Sequence, residues 1–276
     1  MTLKRRLWTY YVNILKFPFL RKEIKQTLHF NCDIKQDNYV CIITIAFDNE
    51  FLIEQQIRLV KKYIEDKNYI HVIADNSPTS TKRKLIQSIC KGEKVGYISL
   101  PQNPFKSLHK KPSYSHGLSM TWMYNNFIKL MKPTVFGFID HDLFPINPYS
   151  VFERINNQDF FGRMIDREKG WYLWAGFCFF NYKKTETYKL NFLPYKVENV
   201  YLDTGGSNFP VLYSKYQKED FAFCKPVVEK SIREGNCYHS DFVHFIDESW
   251  LHTINGSNWA KVDSKENILK ELLNEY

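Results

Sequence analysis

The chain has 276 residues, 44% of them hydrophobic and 25% charged, with a formal net charge of +8. That length holds one large domain or two small ones, and the apolar content excludes a mostly disordered chain. The basic balance leaves three partner classes to separate by where the charge sits: nucleic acid, an anionic membrane surface or anionic small substrates.

The N-terminus is basic at Lys4, Arg5 and Arg6, and the run that follows is broken by Asn13, Lys16 and Pro18. No stretch of about 18 apolar residues occurs, so neither a transmembrane helix nor a signal peptide is expected. Residues 1–30 read as a basic amphipathic arm, with Leu7, Trp8, Tyr11, Val12, Leu15 and Phe19 at helical spacing. The β-branched run over 39–46 predicts a buried strand. Helical periodicity follows over 50–64, then a strand over 69–74, a helix over about 79–90 and a strand over 95–100. Residues 115–131 predict a helix and 134–139 a fourth strand. Strands alternating with helices at this spacing give a mainly parallel sheet flanked by helices, an α/β fold that binds ligands at the carboxyl ends of its strands. Beyond residue 150 the rhythm changes to antiparallel strands at 160–165 and 171–181, a glycine loop over 200–207, and strands over 221–228 and 242–246. The division expected is an arm over 1–30 and one domain over 31–276, with halves at 31–150 and 151–276.

Polar clusters fall at the strand ends. Asp140-His141-Asp142 closes the fourth strand, and two carboxylates so placed can converge on Mg²⁺ or Mn²⁺. The alternative is a solvated turn. Asp75-Asn76-Ser77 closes the second strand, where Asp75 can accept from a base or a ribose, or form an Asx turn capping the next helix. Cys32, Cys41, Cys90, Cys178, Cys224 and Cys237 form no CxxC pair and read as reduced thiols of a cytoplasmic protein. Lys106, His109, Lys110 and Lys111 read as a solvated loop, or as a lid over phosphates.

With Ala46-Phe47-Asp48-Asn49 after the first strand, Asp75-Asn76-Ser77 after the second and Asp140-His141-Asp142 after the fourth, the chain resembles a GT-A fold glycosyltransferase, nearest to family 2. The resemblance implies a Rossmann-like sheet and a UDP-, GDP- or dTDP-sugar donor. It also implies a glycan or lipid-linked acceptor and a divalent metal. It puts Ala46, Phe47, Asp48, Asp75, His116, Gly117 and Asp140 on the donor, with Asp140, Asp142 and His252 on the metal. His239 and His244 are alternatives for the third ligand. Trp171, Trp174 and Gly176 would wall the acceptor site, although alternation along a strand sends at least one of the two tryptophans to the core. Asp203 is the candidate general base of an inverting transfer, with Asp220 its competitor. In a retaining enzyme Asp203 would bind sugar or be structural.

Two other functions share such a sheet. A nucleotidyltransferase would show a glycine-rich basic loop after the first strand, where Phe47-Asp48-Asn49-Glu50 stands instead. A degenerate binding module would not need Asp140, Asp142 and Asp203. The charge itself divides unevenly. Residues 1–30 carry seven basic side chains against Glu23, a net of +6, while 31 basic and 29 acidic residues nearly balance in the remainder. That argues against nucleic acid and for peripheral contact of the arm with an anionic membrane.

Overall fold

The computed structural model describes residues 3–24, 27–28, 38–105, 111–232, 242–254 and 265–276. Lys106, His109, Lys110, Cys32, Cys237, His239 and the loop at Gly256 lie outside them.

The chain opens with helix α1 (Leu3–Leu20) and a short strand β1 (Thr27–Leu28). Then come β2 (Val40–Ala46), α2 (Glu50–Tyr63), β3 (Tyr69–Asp75), α3 (Ser80–Gly92) and β4 (Gly96–Ser99). Helix α4 (Pro112–Met123) runs through a π-helical turn, Tyr124–Ile128, into α5 (Lys129–Met131). β5 (Val135–Asp140), β6 (Leu143–Pro145), α6 (Val151–Ile155), β7 (Phe160–Arg167), β8 (Gly170–Asn181) and α7 (Tyr182–Thr185) follow. The chain continues with β9 (Tyr195–Val197), β10 (Val200–Leu202), β11 (Val228–Ser231), β12 (Phe242–Ile246), β13 (Trp250–His252) and α8 (Lys265–Asn274).

Seven strands form the central sheet in the order β1-β4-β3-β2-β5-β8-β7. β4, β3, β2 and β5 run parallel, and β8 turns antiparallel against β5. All seven residues of β2 are buried. Both faces of that strand can be apolar because helices cover both. Cys41, Ile43 and Ile45 share one core with Leu118 and Trp122 of α4, which also takes in Val12 and Phe19 of α1. On the other face Val40 and Ile42 pack with Val60 of α2, and Ala46 packs with Ile53 and Ile57 of α2 and Ile86 of α3. Asn49 starts α2 by accepting from Leu52 N–H at 3.1 Å, with Glu50 in the first turn and Lys61 and Lys62 in the last. Cap and charges agree with the direction of the helix dipole, and the cap alone contributes about 1 kcal/mol.

Helix α1 docks along α4 by one face. Val12 and Phe19 are buried, Trp8 Nε1 donates to Tyr114 Oη at 2.9 Å, and Trp122 Nε1 donates to Lys22 O at 2.9 Å. The helix expected over 115–131 starts earlier, because Pro112 supplies the preset φ of a first turn. The strand expected over 221–228 is corrected: only Val228 is in one. Phe221 stacks on Phe160 at 4.4 Å and Phe223 packs on Trp171 at 5.7 Å, so their rings are anchored to the core individually, not on an alternating edge. The loop expected over 200–207 begins as strand β10, paired with β9.

A second sheet, β11-β12-β13-β6, is antiparallel throughout. Strand β6 leaves the end of β5 directly and is therefore the seam between the two sheets.

Candidate active site

The seam places Asp140 at the end of β5 and Asp142 just before β6. β13 pairs with β6 so that His252 stands opposite Leu143. The chain after β13 returns to the same turn, where Asp142 O accepts from Thr253 N–H at 3.0 Å. Ligand atoms of Asp140, Asp142 and His252 all lie within 4.8 Å of one another, and His252 Nε2 is 3.4 Å from Asp142 Oδ1. Two carboxylate oxygens and an imidazole nitrogen suit Mn²⁺, and also Mg²⁺ with water completing the set. The residues therefore fit the divalent cation expected.

His116 enters from the first turns of α4, its Nε2 3.5 Å from Asp140 Oδ1. Burial pushes the Asp140 carboxyl above its ordinary range, and Asp142 adds to that, while His116, His252 and His141 oppose it. Two adjacent carboxylates in such surroundings ionise together only when positive charge offsets them, which a divalent cation would do.

The wall opposite is a bulge. Gly162 pairs with Cys178 and Met164 with Leu173, so residues 174–177 of β8 stand opposite Arg163 alone. The extra chain is pushed toward the carboxylates. A Cβ at Gly176 would stand 2.5 Å from Asp140 Oδ2 and 2.3 Å from the Trp174 ring, which only glycine avoids. Trp174 lies with its ring centre 4.9 Å from that of His252. Trp171 points the other way, 7% exposed and packed 4.9 Å from Tyr213. Its expected place on the acceptor wall is thus corrected to a place in the core, as strand alternation requires for one of the pair.

Beneath the turn runs a buried polar chain. Gln56 Nε2 donates to Asp140 O and to Leu143 O, both at 2.7 Å. Its amide orientation is thereby fixed. Thr44 Oγ1 must donate to Gln56 Oε1 at 2.6 Å, and His71 Nε2–H must then donate to Thr44 Oγ1 at 2.9 Å. Burial, with Lys61 adding to it, pushes the His71 imidazole down to about 3.

The donor-side candidates lie at the neighbouring strand ends. Asp75 is fully buried; Oδ1 accepts from Ser77 N–H at 2.7 Å and Oδ2 from Tyr97 Oη at 3.0 Å. In this structure its carboxylate makes the Asx turn. Asp48 holds a left-handed φ of 51° and its N–H donates to Ser77 Oγ at 2.9 Å, tying the ends of β2 and β3. Ala46 O accepts from Asn76 N–H at 2.9 Å, and Phe47 follows, partly exposed. Gly117 is a packing position, where a Cβ would stand 2.3 Å from Phe192 O.

Asp203 is exposed, outside the carboxylate group. The next residue, Thr204, donates from Oγ1 to Ser113 O at 3.2 Å, which sets this loop on the first turn of α4, one turn from His116. Burial first, and then the charge of Asp203, push the Tyr201 phenol up. Asp220 ends a short turn over 218–220 with no buried residue.

One residue not expected from the sequence, Arg163, joins the site, and His244, expected as an alternative ligand, lies beside it. The Arg163 guanidinium lies 5.1 Å from the Trp174 ring centre, and no carboxylate among the described residues is within ion-pair distance of it. Burial pulls its pKa below the usual value. His244 pairs with His252 across β12 and β13, the rings 5.7 Å apart. Arg163 had no local signal, because strand register places it, and His244 lies outside the group formed by Asp140, Asp142 and His252.

No family model and no curated relative matches the chain. Solved structures similar to it include a galactosyltransferase, LgtC, in complex with donor and acceptor sugar analogues. It is 16% identical with a TM-score of 0.35, the match covering 52% of this chain and 58% of that one. WbbM, a bifunctional glycosyltransferase, is 14% identical at TM-score 0.35, over 55% and 33% of the two chains. The mannosyltransferase Ktr4p from S. cerevisiae is 11% identical at TM-score 0.34, over 64% and 66%. The match thus spans little more than half the length of LgtC and a third of WbbM.

Proposed function

We propose that the protein transfers a sugar from a nucleoside-diphosphate donor to a hydroxyl of a glycan or lipid-linked acceptor, as in surface polysaccharide synthesis. The observation that carries this reading is the convergence of Asp140, Asp142 and His252 at the carboxyl end of a parallel strand. Asp142 and His252 would hold Mn²⁺ or Mg²⁺, and Asp140 would stand between the metal and the donor sugar. The cation would supply charge compensation for the leaving diphosphate. Arg163, with no carboxylate partner among the described residues, would add positive charge on the same side.

The donor would lie over the ends of β2 and β3, between Phe47 and His116, with the nucleoside near Ala46, Asp48 and Asp75. Trp174 would offer an apolar face to the acceptor ring, and Gly176 close backbone approach. The acceptor oxygen attacks the anomeric carbon as the bond from that carbon to the diphosphate oxygen breaks. The diphosphate leaves with the electron pair, and the hydroxyl proton passes to the Asp203 carboxylate. Such a displacement inverts the anomeric centre.

No helix among the described residues is long and apolar enough to cross a membrane. Peripheral contact through residues 1–30 would bring the enzyme to a lipid-linked acceptor.

The test is a panel of UDP-, GDP- and dTDP-sugars in thermal-shift assays with and without Mn²⁺, followed by product analysis. One donor should stabilise the chain only with metal, and Asp142→Ala should abolish that shift. Release of pyrophosphate in place of a nucleoside diphosphate would overturn the reading in favour of nucleotidyl transfer.

A further inference from the structure

Helix α1 carries two apolar faces separated by a polar stripe at Thr9, Asn13 and Lys16, and only one of those faces is covered. Trp8, Val12, Leu15 and Phe19 face the body. Leu7, Tyr10, Ile14 and Phe17 face outward at 60, 67, 48 and 56% exposure. Steps of three and four residues put them on one stripe. A contiguous exposed patch of large apolar side chains marks an interaction surface.

Charge selects the occupant. Residues 1–30 carry a net +6. Arg21 and Lys22, just past the exposed stripe, are themselves exposed. A second copy on this face would bring like charge against like charge, which opposes self-association. An anionic bilayer satisfies both features at once: apolar side chains enter the acyl boundary while basic ones stay among the headgroups. We propose that the outer face of α1 docks the protein flat on an anionic lipid surface.

The consequence reaches the site. α1 is joined to α4 by the bond from Trp8 to Tyr114, and Tyr114 lies two residues before His116, which touches Asp140. Docking through α1 therefore fixes the orientation of the carboxylate turn relative to the lipid. The surface itself is argued from exposure and charge and does not depend on sugar transfer.

The test is flotation of the full chain with phosphatidylcholine vesicles, with and without phosphatidylglycerol. It is run beside a variant carrying Leu7→Ser, Ile14→Ser and Phe17→Ser. The wild-type chain should float with the anionic vesicles only, and salt should weaken its binding. The variant should bind them at least about tenfold less, with an unchanged melting temperature because the altered side chains are exposed. Wild-type chain that stays at the bottom with anionic vesicles, or a variant that floats equally well, overturns the proposal. So does a dimer in sedimentation that the variant turns into monomer without vesicle binding. Nucleotide binding on the same samples tests the transfer reading separately.

Discussion

His252 Nε2 lies 3.4 Å from Asp142 Oδ1, and this proximity is produced by a ladder of three residue pairs. Trp250, Leu251 and His252 pair with Pro145, Phe144 and Leu143. Because Trp250 and Leu251 are fully buried, the register cannot slip by one residue without turning both to the opposite face. The imidazole is therefore held beside the carboxylate by packing before any ion arrives.

His252→Ala should lower Mn²⁺ affinity by at least about tenfold, read by calorimetric titration of the folded chain. Asp142→Asn should act in the same direction. Unchanged Mn²⁺ binding in both variants would remove the metal assignment.

Gly176→Ala should do more harm than its one carbon suggests. The added Cβ meets the Trp174 ring at 2.3 Å and Asp140 Oδ2 at 2.5 Å. About 1–3 kcal/mol of stability should be lost in urea unfolding, with weaker Mn²⁺ binding. Gly92→Ala, which meets nothing within 4 Å at the end of α3, is the control and should cost nothing.

His71 sets an acid limit on stability. Its folded pKa is pushed from the ordinary 6.5 to about 3, so the unfolded chain binds a proton that the folded chain refuses. The contribution to stability is full above about pH 6.5 and is lost as pH falls toward about 3. The slope approaches about 1.4 kcal/mol per pH unit. Between about pH 6.5 and about pH 4.5 the wild-type chain should lose about 2 kcal/mol more than His71→Gln, measured by urea midpoints. Parallel pH profiles would refute this.

Arg163→Gln should weaken binding of a nucleoside diphosphate by about ten- to a hundredfold while leaving the free nucleoside unaffected, since a charge-assisted bond contributes about 1.5–3 kcal/mol. Equal losses for both ligands would mean that Arg163 only supports Trp174.

The parallel half of the fold was legible because its strands and helices are long enough to show their periods. The seven residues of β2 and the Asn49 cap of α2 are examples. Asp140 and Asp142 were legible as carboxylates at a strand end. β6 and β13 were not, since three residues show no period. The late histidine therefore had three candidates until pairing placed His252 opposite Leu143. Alternation told that Trp171 and Trp174 diverge, but the bulge over 174–177 decided which faces the site. Gln56 reads locally as one polar residue on a buried helix face. Its hold on the Asp140 and Leu143 carbonyls exists only in three dimensions.

The seam at β6 also sets an order of assembly during synthesis. A nascent chain synthesised only as far as β12 already has both carboxylates, yet the histidine beside them is still untranslated. Every residue of the parallel sheet precedes that point. A cation held by all three side chains would thus report synthesis past β13, not merely formation of the largest sheet, and a product cut short after β12 would keep the parallel strands but lack His252.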